Sequence, residues 1–265
     1  MHHCTHVLIA AWCSSYVVEK TVSPVAGLIV TMTPVAALMF RFDNPDAMLV
    51  LLMTAAAYCV VRAIEVSGRD EPTTTRRGRV RSASATALRW MVGAGLLIGF
   101  AFLTKMLQAF LVLPAFGAAY LICAAASLGA RLLRLGAGVL AMVLAGGWYL
   151  LLVELWPASS RPYIGGSQND SIIELAMGYN GLGRLTGDEV GGLGNLNHDV
   201  GWGRLLGSGM GTHIAWLLPA ALICLVAGLV LTRRAPRTAG LRAALVLWGG
   251  WLVVTAARRG REHGG

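Results

Sequence analysis

The sequence predicts an all-α fold, a polytopic transmembrane helix bundle of about six or seven spans with one long extracytoplasmic loop. Three observations carry that expectation. Hydrophobic residues make up 56% of the 265-residue chain and charged residues only 13%, which is about half the charge of a soluble domain. The apolar residues come in blocks: 20 uncharged residues separate Lys20 from Arg41, 25 separate Lys105 from Arg131, 19 separate Arg134 from Glu154, and 28 separate Arg204 from Arg233. Blocks of that length match a hydrocarbon core of about 30 Å crossed at about 1.5 Å per residue. The basic residues are shared unequally between the loops that join the blocks, with 14 on one side and five on the other when the last nine residues are set aside.

Residues 1–20 read as an N-terminal segment, compatible with the end of a truncated span, because MHHCTHVLIAAWCSS lacks the basic n-region of a cleaved signal. The span Thr21 to Phe40 follows and ends at the polar cluster RFDNPDA. Ala47 to Val61 then leads to a loop, Arg62 to Arg89, that holds seven arginines and is rich in Ser and Thr. The positive-inside rule makes this loop cytoplasmic and places RFDNPDA outside. Trp90 to Thr104 runs outward to Lys105, Met106 to Ala130 returns to Arg131 and Arg134, and Leu135 to Val153 runs out again. The 15-residue runs before Arg62 and Lys105 are short for full spans and call for tilt, local thinning or partial re-entry.

Residues 21–156 thus read as transmembrane helices and residues 157–212 as an extracytoplasmic loop. Residues 213–256 form further spans, Ile214 to Leu231 and Ala243 to Val254, joined by the basic RRAPRTAGLR. The tail, 257–265, carries three arginines where the rule expects an outer end and reads as aberrant.

The net charge of +9 comes from 20 Arg and two Lys that flank apolar blocks and do not line one polar face. That pattern argues for membrane lipids and against nucleic acid as a partner. The five cysteines show no CxxC pair or metal spacing, and Cys59, Cys123 and Cys224 lie inside apolar runs as small packing residues. No metal ligands and no cofactor are expected, with a divalent metal left open.

Polar residues at membrane depth or at the outer interface are the functional candidates, since burying them costs several kcal/mol unless something compensates. Asp46 lies in the outer turn Arg41-Phe-Asp-Asn-Pro-Asp46. Pro45 suits the first turn of the next helix and Asn44 its N-cap, so Asp46 serves either helix-end chemistry or general-base and cation-binding chemistry. Arg41 is placed to pair with an acid or a phosphate. Lys105, isolated between two apolar blocks, either snorkels to the interface or binds an anion. In the outer loop, Ile172, Ile173, Leu175, Ala176 and Met177 predict a short amphipathic helix opened by Asp170 and Ser171, leaving Tyr163, Tyr179 and Asn180 for a sugar or headgroup. The loop's glycines carry no P-loop lysine and follow no strand, so they give little support for nucleotide binding.

The runs TPVAALMFRFDNPDAMLVLL, GAGLLIGFAFLTKMLQAFLVLP and RPYIGGSQNDSIIELAMGYNGLGRLTG together resemble the actinobacterial branch of glycosyltransferase family 39. These GT-C membrane enzymes include protein O-mannosyltransferases and the aminoarabinose transferase of lipid A. The resemblance implies a GT-C-like bundle and an inverting transfer of a hexose-type sugar from a polyprenyl-phosphate donor. The acceptor, a lipid, protein or cell-wall glycan, would lie at the outer face of the plasma membrane. By position, the resemblance makes Asp46 the catalytic acidic residue of the second outer turn. It makes Lys105, in the family's Leu-Thr-Lys motif, a ligand of the donor phosphate together with Arg41. Asn44, Arg161, Tyr163, Tyr179, Asn180 and Arg184 would shape the sugar and acceptor pocket.

The family also carries an early outer loop with an acidic motif and continues through more spans, neither of which is found in MHHCTHVLIAAWCSS or after Thr255. The chain is accordingly expected to be a partial enzyme with little or no activity alone. A transporter or channel subunit would also place Asp46 and Lys105 within a bundle, but no repeat period is evident. A non-catalytic scaffold would need neither residue.

Overall fold

The computed structural model describes residues 45–68, 77–157, 160–161, 163–165, 167, 169–177 and 218–257. Every regular element among these residues is helical: α1 (Asp46–Ser67), α2 (Arg77–Lys105), a 3-10 segment (Met106–Val112), α3 (Leu113–Cys123), α4 (Leu128–Leu155), the short α5 (Ile172–Met177), α6 (Leu218–Leu231) and α7 (Gly240–Ala257). The all-α class read from the sequence is the class that forms. Three stretches, Asp46–Ser67, Ser84–Cys123 and Leu128–Leu155, are long and apolar enough to cross a membrane, and α6 and α7 supply shorter apolar helices.

The helices outrun the apolar blocks, because charged residues near their ends find partners that keep them helical. α1 continues past Val61: Arg62 pairs with Glu65 at 2.6 Å, and its guanidinium lies 5.9 Å from the centroid of the Trp90 ring. In the last turn the Ser67 hydroxyl donates to the Ile64 carbonyl at 2.6 Å. α2 likewise starts at Arg77, well before Trp90, so the expected loop from Arg62 to Arg89 is helical at both ends. Arginine is a good helix former, and a charged composition ends a membrane core without ending a helix.

Hydrogen bonds between elements fix which helix ends meet. Arg134 on α4, only 4% exposed, donates to the Ser84 hydroxyl near the start of α2 at 2.9 Å and to the Tyr120 hydroxyl near the end of α3 at 3.3 Å. The chain therefore reverses between Ser84 and Tyr120. The reversal lies at Lys105 (φ −152°, ψ 31°) and Met106 (φ 50°), where the helical ladder breaks, and Phe102 stacks on Phe110 across it with centroids 5.2 Å apart. Each arm, from Ser84 to Lys105 and from Met106 to Cys123, is about 30 Å long by its rise per residue. Both therefore traverse the same layer.

At the end of α3, Ala124 turns extended and Ser127 caps α4 by accepting from the Ala130 amide. Arg131 closes the end of α3 by donating to the carbonyls of Leu121 and Ala126. Ser67 accepts from the Ala125 amide at 3.0 Å, which ties the end of α1 to this same turn. Thr238 lies beside Gly68 and Gly240 beside Glu65, so the α6–α7 turn is at this end too. Asp46, Lys105 and the Glu154 end of α4 are at the other.

The core is built mainly among α1, α2, α3 and α7, from Leu49, Met53, Ile64, Ile98, Tyr120, Leu247 and Trp248. Trp248 stacks on Trp251 at 5.0 Å, and Trp251 meets the Phe116 ring edge-on at 5.8 Å. α2 and α4 pack through small residues, Gly95 and Gly99 against Gly138 and Ala145, the way membrane helices bring backbones close without a hydrophobic drive in lipid.

Candidate functional site

At the end of the bundle where α1 begins and α2 stops, Lys105 Nζ donates to Asp46 Oδ1 at 2.5 Å across 59 positions of sequence. Local structure explains both placements. Pro45 stands immediately ahead of α1 with helical torsions, φ −63° and ψ −8°, and its carbonyl accepts from the Leu49 amide at 2.9 Å. Asp46 is therefore in the first turn, where the unpaired amides of a helix start favour a carboxylate. Lys105 is the last residue of α2, where carbonyls favour a cation. Thr104 keeps that turn closed by donating its hydroxyl to the Ala101 carbonyl at 2.6 Å.

The lysine and aspartate side chains are 26% and 15% exposed. The ammonium is thus mostly covered and closed on a carboxylate. In a partly dry setting each charge offsets the desolvation of the other, and removing one strands its partner.

The same end carries a second polar assembly. Arg161 donates to the Glu154 carboxylate at 3.2 Å and to the carbonyls of Glu154, Trp156 and Asp170 at 2.8, 3.1 and 3.0 Å. It thereby satisfies carbonyls that the end of α4 leaves without helical partners. The other Glu154 oxygen accepts from the Ser171 hydroxyl at 2.5 Å. Ser171 in turn accepts from the Glu174 amide, which starts α5 as the sequence predicts. α5 buries Ile172 and Ala176 and packs against the 3-10 segment that follows Lys105 and against α4. Asp170, at φ 48°, accepts from the Ile164 amide at 3.0 Å and closes the small loop. Tyr163 projects from it, 82% exposed.

Of the residues expected to act, the structure brings Asp46 and Lys105 together. Arg161 sits in the buckle with Glu154, its guanidinium occupied in holding the loop. Arg41, Asn44, Tyr179, Asn180 and Arg184 lie outside the described residues. Glu154 escaped the sequence reading, where it only marked the end of an apolar block; an acid in that position with an arginine seven residues later was the available signal. Among the described residues no three His, Cys, Asp or Glu side chains gather as a metal site would require.

Residues 4–158 match the family described as dolichyl-phosphate-mannose-protein mannosyltransferase. The chain is similar to two proteins of Bacillus subtilis (strain 168). "Putative mannosyltransferase YkcB" is 37% identical over 173 residues, covering 65% of this chain and 22% of that protein. "Putative mannosyltransferase YycA" is 38% identical over 170 residues, covering 63% of this chain and 22% of that protein. The chain thus spans about a fifth of the length of these relatives. No solved structure matches it.

Proposed function

Because the chain belongs to the dolichyl-phosphate-mannose-protein mannosyltransferase family, we propose that it forms part of a plasma-membrane glycosyltransferase that moves a hexose-type sugar from a polyprenyl-phosphate donor to an acceptor at the outer face. The observation that carries the reading is the Asp46–Lys105 pair at one end of the bundle. A glycosyl transfer of this kind needs one base and one cation, and these two side chains supply them side by side.

In the reaction, Asp46 takes the proton of the acceptor hydroxyl or amine. The acceptor's freed electron pair attacks the anomeric carbon from the face opposite the lipid phosphate, and configuration inverts. The bond from the anomeric carbon to the phosphate oxygen breaks with its electrons staying on oxygen. The leaving polyprenyl monophosphate therefore gains one negative charge, and Lys105 with Arg41 meets that charge as it develops. Asn44, Tyr163, Tyr179, Asn180 and Arg184 wall the sugar and acceptor pocket. Arg161 serves it by holding the loop that carries Tyr163.

The test is reconstitution of the 265-residue chain in nanodiscs, with two measurements: binding of undecaprenyl phosphate, and transfer from radiolabelled undecaprenyl-phosphate mannose to added glycan or peptide acceptors. Saturable binding that Lys105→Ala weakens at least tenfold, with little or no turnover by this chain alone, is the expected result. Binding that ignores Lys105→Ala would remove the donor-site assignment, and efficient turnover would overturn the partial-enzyme reading.

A further inference from the structure

We propose that Asp46 is an internal occupant of the donor's anion site: its carboxylate holds the Lys105 ammonium until a lipid phosphate displaces it. Asp46 thereby becomes a specificity-determining residue that admits only anions able to compete with a carboxylate. The inference rests on the reading of Lys105 as a phosphate ligand.

Three observations support displacement. The two side chains are 26% and 15% exposed, so an anion arriving at that end of the bundle reaches the ammonium without unfolding any helix. Each partner also keeps a helix terminus when the pair opens. Asp46 stays in the first turn of α1 and Lys105 in the last turn of α2, so the helix ends offset part of each charge when the pair parts. The backbone next to Lys105 is also strained. Met106 sits at φ 50°, a left-handed conformation that L side chains seldom adopt. The 3-10 run that it opens is seven residues long, where such runs usually stop at about three or four. Relaxing that turn swings Lys105 while α2 stays packed on α4.

The consequence is an order of events. With no lipid phosphate present, Asp46 is tied to an ammonium and is a poor base. Once phosphate takes the ammonium, Lys105 no longer neutralises the carboxylate, which becomes the stronger base toward the acceptor. Deprotonation of the acceptor is thereby coupled to the presence of the donor.

The experiment is a double-mutant cycle on the full chain in nanodiscs, titrated with undecaprenyl phosphate and, separately, with inorganic phosphate. Asp46→Asn is expected to tighten undecaprenyl phosphate binding by about three- to tenfold, and this gain should vanish when the change is made on a Lys105→Ala background. Asp46→Ser, which also suits a helix start, repeats the measurement should Asp46→Asn fail to give a monodisperse protein. Unchanged or weaker binding by these variants overturns the proposal. A gain that persists without Lys105 does the same, since it would reflect only relief of charge repulsion, and tightening toward inorganic phosphate alone overturns the assignment to a lipid phosphate. If Lys105→Ala leaves the affinity of the unsubstituted chain intact, the underlying phosphate reading fails first and visibly.

Discussion

Gly95 of α2 and Gly138 of α4 approach so closely that a methyl group on Gly95 would lie 2.0 Å from the Gly138 carbonyl oxygen. No side-chain rotation relieves that contact, because the obstacle is backbone. Gly95→Ala is therefore expected to force the two helices apart and to cost about 1 to 3 kcal/mol, as overpacking does. Gly136→Ala on α4 meets nothing within 4 Å and should stabilise by about 0.5 to 1 kcal/mol through the lost backbone freedom of glycine. Thermal unfolding midpoints of the two variants in detergent, compared with the parent, check the contrast. Equal midpoints would show that α2 and α4 do not pack in this register.

Arg134 poses a different test, because its charge is buried at 4% exposure and bridges the Ser84 and Tyr120 hydroxyls. Lysine at this position keeps the charge and loses the planar fork that reaches both partners. Methionine removes the charge and keeps most of the volume. Arg134→Lys should therefore be the more damaging change, by about 1 to 3 kcal/mol, and Arg134→Met the milder one. The ranking of their unfolding midpoints decides it.

These contacts separate what the sequence makes legible from what it does not. The spacing of scarce charges placed RFDNPDA and Lys105 on one side, and the structure puts Asp46 and Lys105 at one end of the bundle. That much followed from the alternation of arginine-rich and arginine-poor loops. The contact itself spans 59 positions and leaves no trace in local periodicity, so Lys105 could be read only as a residue needing some anion. Helix ends are not legible in the apolar blocks for a related reason. Arg62 marks the end of an apolar block but continues α1, since Glu65 and the Trp90 ring neutralise and cover it. The start of α5 at Ser171 was legible because an N-cap serine followed by an apolar run is local information. The role of Arg161 was not, because it depends on where the carbonyls of Glu154, Trp156 and Asp170 converge after folding.

The buckle made by Arg161 and Glu154 gives a prediction about local order. Arg161→Ala removes four donor contacts at once, while the helices of the core touch none of them. Amide hydrogen exchange should accelerate by roughly tenfold or more across residues 163–177 and stay unchanged in α1 and α3. Glu154→Gln should act more weakly, since the amide oxygen still accepts from Ser171 and the Glu154 and Trp156 carbonyls still hold Arg161. A uniform rise in exchange across the whole chain would mean that the buckle supports the bundle and not the loop.

The sidedness of the bundle yields the last prediction. Tyr163, 82% exposed, belongs to the end that holds Asp46, Lys105 and Glu154. Pro236, also exposed, belongs to the α6–α7 turn at the opposite end, among Arg233, Arg234 and Arg237. With 14 basic residues assigned to the second side against five on the first, membrane insertion should retain the arginine-rich end in the cytoplasm, because translocating it is the costlier choice. In a background with the native cysteines replaced, Tyr163→Cys should react with a membrane-impermeant maleimide on intact cells. Pro236→Cys should react only after permeabilisation. The opposite labelling pattern would put Asp46 and Lys105 on the cytoplasmic face, where an outer-face acceptor cannot reach them, and the outer-face transfer reaction would have to be abandoned.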